Sequence, residues 1–128
     1  MPRQVVMTPL SPILAVDDSA PIREMIAVVL TSRGHRVTLA ANGREALQRL
    51  LAASEPQVVL LDIVLPDLDG VQLCHEIERD ARLRGAGHRI ILMSTTIRFT
   101  APDIPATAGQ LVKPFSRQQL IAAVDAVR

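Results

Sequence analysis

The stretch "VVLLDIVLPDLDG" (residues 58–70) decides how this chain folds. An unbroken apolar run, Val58 to Leu61, ends in an acid, Asp62. A strand with one face in water alternates apolar and polar residues; a run without alternation belongs to a strand covered on both faces. Pro66, Asp67, Asp69 and Gly70 follow, the vocabulary of a turn that leads into a helix. A doubly covered strand therefore carries a carboxylate out of its C-terminal end.

Working outward, the pattern recurs. "PILAVDD" (12–18), "HRIILMS" (88–94) and "GQLVKPF" (109–115) are further short apolar runs, and "HRVTLAA" (35–41) alternates as a strand does. Between them lie helical periods. Residues 20–33 place Ile22, Met25, Ile26, Val29 and Leu30 on one side, with Pro21 in the first turn and Gly34 as the stop. "NGREALQRLLAA" (42–53) starts at a capping Asn42 and aligns Ala46, Leu47, Leu50 and Leu51. "LDGVQLCHEIERDARL" (68–83) turns Leu73, Cys74 and Ile77 inward. "SRQQLIAAVDAV" (116–127) is capped by Ser116 and buries Leu120, Ile121, Val124 and Val127. Strands alternating with helices predict an α/β fold, a parallel sheet with helices on both faces. Residues 1–11, with Pro2 and Pro9, read as an extended or flexible lead-in, and 12–128 as one domain.

Composition excludes several classes. The chain has 128 residues, 48% hydrophobic and 21% charged, enough to build a packed core. A net charge of +1 and the lack of a basic run argue against nucleic-acid binding by this domain. No apolar stretch approaches the ~20 residues of a membrane span, and the N-terminus, broken by prolines, does not read as a signal peptide. The single Cys74 excludes an internal disulfide and suits a reducing cytoplasm. His35, His75 and His88 lack metal-ligand spacing and read as surface or loop residues. The basic residues are thirteen Arg and one Lys, Lys113.

In a parallel sheet of this kind the ligand site lies beyond the carboxyl ends of the strands. At that rim the sequence sets Asp17 and Asp18, Asp62, Ser94 and Thr95, and Lys113. Taken singly, the first two read as helix caps, Ser94 as a satisfied hydroxyl and Lys113 as a solvated lysine. Asp67, Asp69 and Gly70 keep that turn and capping reading. Together, three carboxylates, a hydroxyl and an ammonium on one rim suggest a shared site. Crowded carboxylates raise one another's cost of ionising. A hard divalent cation with oxygen ligands, Mg²⁺ above all, removes that cost. A carboxylate beside it can attack a phosphoryl group, with a lysine and a hydroxyl stabilising the transferring oxygens.

These residues give the chain a family resemblance. "ILAVDDSAPIR" (13–23), "NGREAL" (42–47), "VVLLDIVLPDLDG" (58–70), "IILMS" (90–94) and "LVKPF" (111–115) resemble, in order and spacing, a response-regulator receiver domain of the CheY type. The resemblance implies a flavodoxin-like, doubly wound five-stranded parallel sheet of order 2-1-3-4-5 with five helices. It implies phosphorylation of Asp62 by a histidine kinase or a phosphotransfer protein. Asp18 would ligate Mg²⁺ directly, Asp17 through water, and Asp62 and the Val64 carbonyl would complete the set. Ser94 takes the switch-hydroxyl position, and Lys113 pairs with the acids or the phosphoryl group. Thr95, at the position that governs access to the aspartate, would be a cofactor-binding residue. The domain is then not an enzyme, beyond Mg²⁺-dependent self-phosphorylation and self-dephosphorylation. It is expected in the cytoplasm as a monomer or weak dimer that switches binding to a protein partner.

Three departures set limits on that resemblance. Thr95 is β-branched where the family has a small residue. Gln110 stands where the family commonly has the aromatic switch, three residues before the lysine. Residues 95–108, "TTIRFTAPDIPATA", carry Pro102 and Pro105 where the fourth helix belongs, and a proline in a helix interior costs about 3 kcal/mol. That helix is expected to be shortened or irregular. The alternative is a phosphorylation-independent pseudo-receiver that serves as a protein-interaction scaffold. A haloacid-dehalogenase-like phosphatase is remote, because Val64 stands where that family has its second Asp. The reading admits both a stand-alone receiver and a fragment of a longer regulator.

Overall fold

A computed structural model describes residues 10–95 and 107–128. In chain order the elements are β1 (Ile13–Val16), α1 (Ala20–Ser32), β2 (Val37–Ala40), α2 (Gly43–Ala52), β3 (Val58–Asp62), α3 (Gly70–Arg79), α4 (Ala81–Gly85), β4 (Arg89–Ser94), β5 (Thr107–Val112) and α5 (Arg117–Val127). The strands form one sheet in the order β2-β1-β3-β4-β5, and every pairing is parallel. This is the doubly wound, flavodoxin-like arrangement expected from the sequence. β1 and β3 are neighbours inside the sheet, with Val16 opposite Leu61, so Asp17 and Asp62, the next residues, come side by side at its C-terminal edge.

The unbroken apolar runs are explained by the two cores. Leu14, Val16, Val59, Leu61, Ile90 and Leu92 point to one face, against Ala46 and Leu50 of α2, Leu73, Cys74 and Ile77 of α3 and Leu83 of α4. Ile13, Ala15, Val58, Leu60, Ile91 and Met93 point to the other, against Ile26, Val29 and Leu30 of α1 and Leu120, Val124 and Val127 of α5. Successive strand residues alternate between faces, and here both faces are dry. Each fully buried Leu or Ile contributes roughly 1.5–3 kcal/mol, so the central strands cannot shift register without exposing a row of them.

The caps agree with the sequence at Asn42, whose side chain accepts from Glu45 N, and at Ser116, which forms a capping box with Gln119. Gly34 closes α1 with φ of +94°, the left-handed region that favours glycine. Other expectations are corrected. The helix expected through residues 68–83 breaks at Asp80, whose carboxylate Oδ1 accepts from Arg82 N and Leu83 N and starts a separate short helix, α4. Leu51 does not join the buried face of α2 but is 42% exposed, because that helix lies flat on the sheet along Ala46 and Leu50. His35 lies in the loop between α1 and β2, within the surface-or-loop expectation, but is buried there, with Nδ1 against the Ser11 carbonyl. β5 begins at Thr107, ahead of the expected Gly109. The expectation of a shortened or irregular fourth helix between β4 and β5 concerns residues that lie largely outside those described, and so does most of the 1–11 lead-in. The described fourth helix is the short one before β4.

Candidate functional site

The C-terminal ends of β1, β3, β4 and β5 meet at one rim. Asp17 follows β1 and is completely buried. The capping reading of Asp17 and Asp18 is corrected: Ser19 caps α1, its hydroxyl accepting from Ile22 N. That leaves the two carboxylates available to the rim. Asp17 Oδ1 accepts from Ser19 N at 2.9 Å, and its backbone carbonyl accepts from the Arg23 guanidinium at 2.6 Å. Its Oδ2 accepts from Lys113 Nζ at 2.6 Å. Asp18 is exposed beside it.

Asp62 ends β3 and is 6% exposed. Its Oδ1 accepts from Val64 N at 3.2 Å, and its Oδ2 lies 3.3 Å from Lys113 Nζ. Lys113 follows β5, its amide donating to the Ser94 carbonyl at 2.7 Å, which ties the ends of β4 and β5 together. Its side chain is 13% exposed, so the chain's one lysine is not a solvated surface residue but is spanned between two acids. A compact ammonium on a flexible stem can make both contacts in a narrow pocket. Ser94 is half-buried at the end of β4, and Thr95 is exposed next to it. Val64, two residues past Asp62, is 73% exposed. All the rim residues picked from the sequence are therefore at one end of the sheet.

The electrostatics follow from burial and crowding. Burial first, and then the negative charge of Asp17, push the Asp62 carboxyl above its ordinary value; Lys113 and the Val64 amide pull the other way and lose. Burial alone would lower the Lys113 ammonium, but the hydrogen bond and charge of Asp17, with those of Asp62, hold it above its ordinary value. Oxygens of Asp17, Asp18 and Asp62 lie within 4.8 Å of one another. Three hard oxygen donors with only one ammonium among them fit a divalent cation of the Mg²⁺ type. Cys74 offers no competing nucleophile, since burial pushes its thiol up to about 12.

Two contacts in the site region were missed by sequence reasoning. Arg23 reaches back from α1 to the Asp17 carbonyl. Asp67 does not cap its own helix, which is the work of Asp69 with Gln72 in a capping box. It accepts instead from Gly43 N at 2.9 Å and Arg44 N at 3.1 Å, the first two amides of α2.

Gly70 carries a further demand. A Cβ built there would sit 2.7 Å from the Asp62 carbonyl oxygen and 2.8 Å from Ile63 Cα. Gly70→Ala should gain roughly 1 kcal/mol of helix propensity and lose about 1–3 kcal/mol to overpacking against backbone that cannot rotate away. Urea unfolding is expected to show a net loss; a variant as stable as its parent would mean that the Asp62 backbone yields.

The titrations give a pH prediction with opposed signs. Asp62 has a raised folded value, so its contribution is fully present below the unfolded value near 3.8 and is lost as pH rises through the folded one. Asp67 and Asp80 are held low, chiefly by backbone amides, so theirs is present above that value and lost as pH falls through the folded one. Asp62→Asn removes only the first. In thermal melts without metal the variant should exceed the parent at neutral pH and converge with it in acid.

The model of the response regulator receiver domain family matches residues 13–125. The chain belongs to that family. Response regulator MprA of Mycolicibacterium vanbaalenii is 36% identical over 120 residues, 90% of this chain and 49% of that protein. The probable transcriptional regulator ycf27 of Guillardia theta is 38% identical over 90% of this chain and 44% of its own length. The chain thus spans about half the length of the curated relatives it matches. Among solved structures, the chemotaxis response regulator CheY4 of Vibrio cholerae aligns with a TM-score of 0.79 at 29% identity, over 93% of this chain and 99% of that one. The response regulator TrrA of Thermotoga maritima, solved with Mg²⁺ and a beryllium fluoride, aligns at 0.78 and 28% identity, over 92% and 99%. As a receiver domain, the chain is a module of two-component signalling. Among the described residues no helix is long and apolar enough to cross a membrane.

Proposed function

We propose that this receiver domain accepts a phosphoryl group on Asp62, in a Mg²⁺-dependent reaction, from a histidine kinase or a phosphotransfer protein, and that the modified form changes its binding to a protein partner. The observation that carries the reading is the convergence of buried Asp17 and Asp62 on Lys113, with Asp18 exposed alongside. Asp18 would hold the ion directly, Asp17 through water, and Asp62 and the Val64 carbonyl would complete the protein's share. The ion supplies positive charge that offsets the carboxylates and the phosphoryl oxygens.

The chain's own residues do the rest. A carboxylate oxygen of Asp62 forms a bond to phosphorus while the bond from phosphorus to the donor's imidazole nitrogen breaks, its electron pair staying with the imidazole. Lys113 holds Asp17 more tightly than Asp62, 2.6 against 3.3 Å, so the weaker contact is the one to be exchanged for a phosphoryl oxygen. The Ser94 hydroxyl would donate to another such oxygen. Thr95 stands at the approach, where Ile22, Met25, Pro114 and Phe115 join it and Lys113 around an apolar recess of about 230 Å³. The Mg²⁺ complex of TrrA supports the ion, and the buried lone thiol of Cys74 supports a cytoplasmic setting. The scaffold alternative draws on Thr95 and on Gln110, exposed where the family has its aromatic switch. Treatment with acetyl phosphate and Mg²⁺ separates the two: the phosphoacceptor reading expects one phosphoryl group, placed on Asp62.

A further inference from the structure

We infer that Asp67 is a positioning residue that latches the loop after Asp62 onto the first turn of α2 and so shapes the cation site. This deepens the proposed function and rests on it. The loop runs from Ile63 to Gly70 and is cinched at its base, where Gly70 N donates to the Ile63 carbonyl at 2.8 Å. Beyond that base, the Asp67 carboxylate ties the loop to α2: Oδ1 accepts from Gly43 N and Oδ2 from Arg44 N.

The division of labour at the start of α2 is complete. Asn42, the N-cap, takes Glu45 N at 2.8 Å and leaves the first two amides without a partner in the helix. A carboxylate there is favoured by both the hydrogen bonds and the helix dipole. Here it comes from a residue 24 positions away, on the loop that carries Val64. The approach is close: a Cβ on Gly43 would lie 2.7 Å from the Leu68 carbonyl oxygen. Without Asp67, the loop would rest on α2 by van der Waals contact alone and leave two amides to water. Val64 lies between the cinch and the latch, and its amide holds Asp62 Oδ1. Slack in the loop therefore reaches both the Val64 carbonyl and the Asp62 carboxylate.

The test compares Asp67→Ala with Asn42→Ala, which strips a cap from the same helix without touching the loop. Two readouts are taken on the folded proteins: Mg²⁺ affinity by calorimetry, and amide hydrogen exchange at Val64 and Gly70 without metal. Asp67→Ala should weaken Mg²⁺ binding by about tenfold, the lower end of what outer partners of metal ligands contribute, and speed exchange at both amides. Asn42→Ala should lower thermal stability yet bind Mg²⁺ within about twofold of the parent, with those amides unchanged. Asp67→Asn keeps an acceptor for one of the two amides and should fall between. Equal Mg²⁺ affinity in Asp67→Ala and the parent, or equal losses in the two alanine variants, overturns the latch. Should the parent bind no Mg²⁺, the proposed function falls, and the exchange rates alone then decide: unchanged rates in Asp67→Ala overturn the latch.

Discussion

Asp62→Asn should abolish phosphorylation by acetyl phosphate, while the parent gains one phosphoryl group per chain in intact-mass spectra. The expected loss is complete, because the amide removes the nucleophile and leaves the pocket otherwise filled. The step balances simply: an oxygen of Asp62 bonds to phosphorus, the bond from phosphorus to the acyl oxygen breaks, and acetate leaves. Among the described residues nothing nearby replaces Asp62. Asp17 is completely buried and already accepts from Ser19 N, with its other oxygen held by Lys113. Asp18 is exposed and follows the end of β1, beside the carboxylates that would share the ion rather than at the end of β3. Removing Mg²⁺ with a chelator should reduce the parent to the same level. A phosphoryl group on the Asp62→Asn chain at Ser94, or a parent that gains none in Mg²⁺, would sink the phosphoacceptor reading and favour the scaffold.

Most of the fold was legible because the chain repeats one physical rule. Runs such as Val58–Leu61 are apolar at consecutive positions only if both sheet faces are covered, and that requirement leads to helices on either side. The acids at the rim were legible for the same reason: the apolar run fixes where the strand ends, so a carboxylate that ends the run is placed at the rim of the sheet. Features that depend on a distant backbone group were not legible. Arg23 and Asp67 act on a carbonyl and on two amides that gain those roles only when the loops are folded. Asp67 lies in a turn-forming context, and nothing in the spacing to Gly43 marks the pair. The break at Asp80 was hidden because residues 68–83 hold no proline and only one glycine, at the start, to mark a second helix; a carboxylate that can accept from Arg82 N and Leu83 N was the signal available. His35 is buried because its Nδ1 finds the Ser11 carbonyl, a partner no local pattern announces.

Lys113→Met should destabilise the metal-free protein by about 3 kcal/mol at neutral pH, the lower end of what breaking a buried ion pair costs. Methionine has nearly the length of the lysine stem, so the change removes charge and donors with little cavity. Asp17 and Asp62 are then left buried, mutually repelling and without the ammonium that bridged them at 2.6 and 3.3 Å. Five consequences separate this cause from lost packing. Mg²⁺ should restore much of the loss, since a cation held by the same carboxylates does the missing neutralisation. Lowering pH should narrow the gap between variant and parent, because protonating Asp62 removes part of the repulsion that the ammonium offset. The gap should also narrow in strong base, where the raised folded value of Lys113 marks the pH above which its contribution disappears. The double variant Asp62→Asn/Lys113→Met should lose less than Lys113→Met alone, an interaction of about 1–2 kcal/mol in a double-mutant cycle. Lys113→Arg keeps the charge but brings a planar guanidinium into a pocket shaped for a compact ammonium, so it should recover stability in part. Denaturant unfolding across pH, with and without Mg²⁺, reads all of these. A Lys113→Met protein as stable as its parent without metal at neutral pH would mean that the acids are neutralised by something other than Lys113, and the charge argument for the cation site would lose its footing.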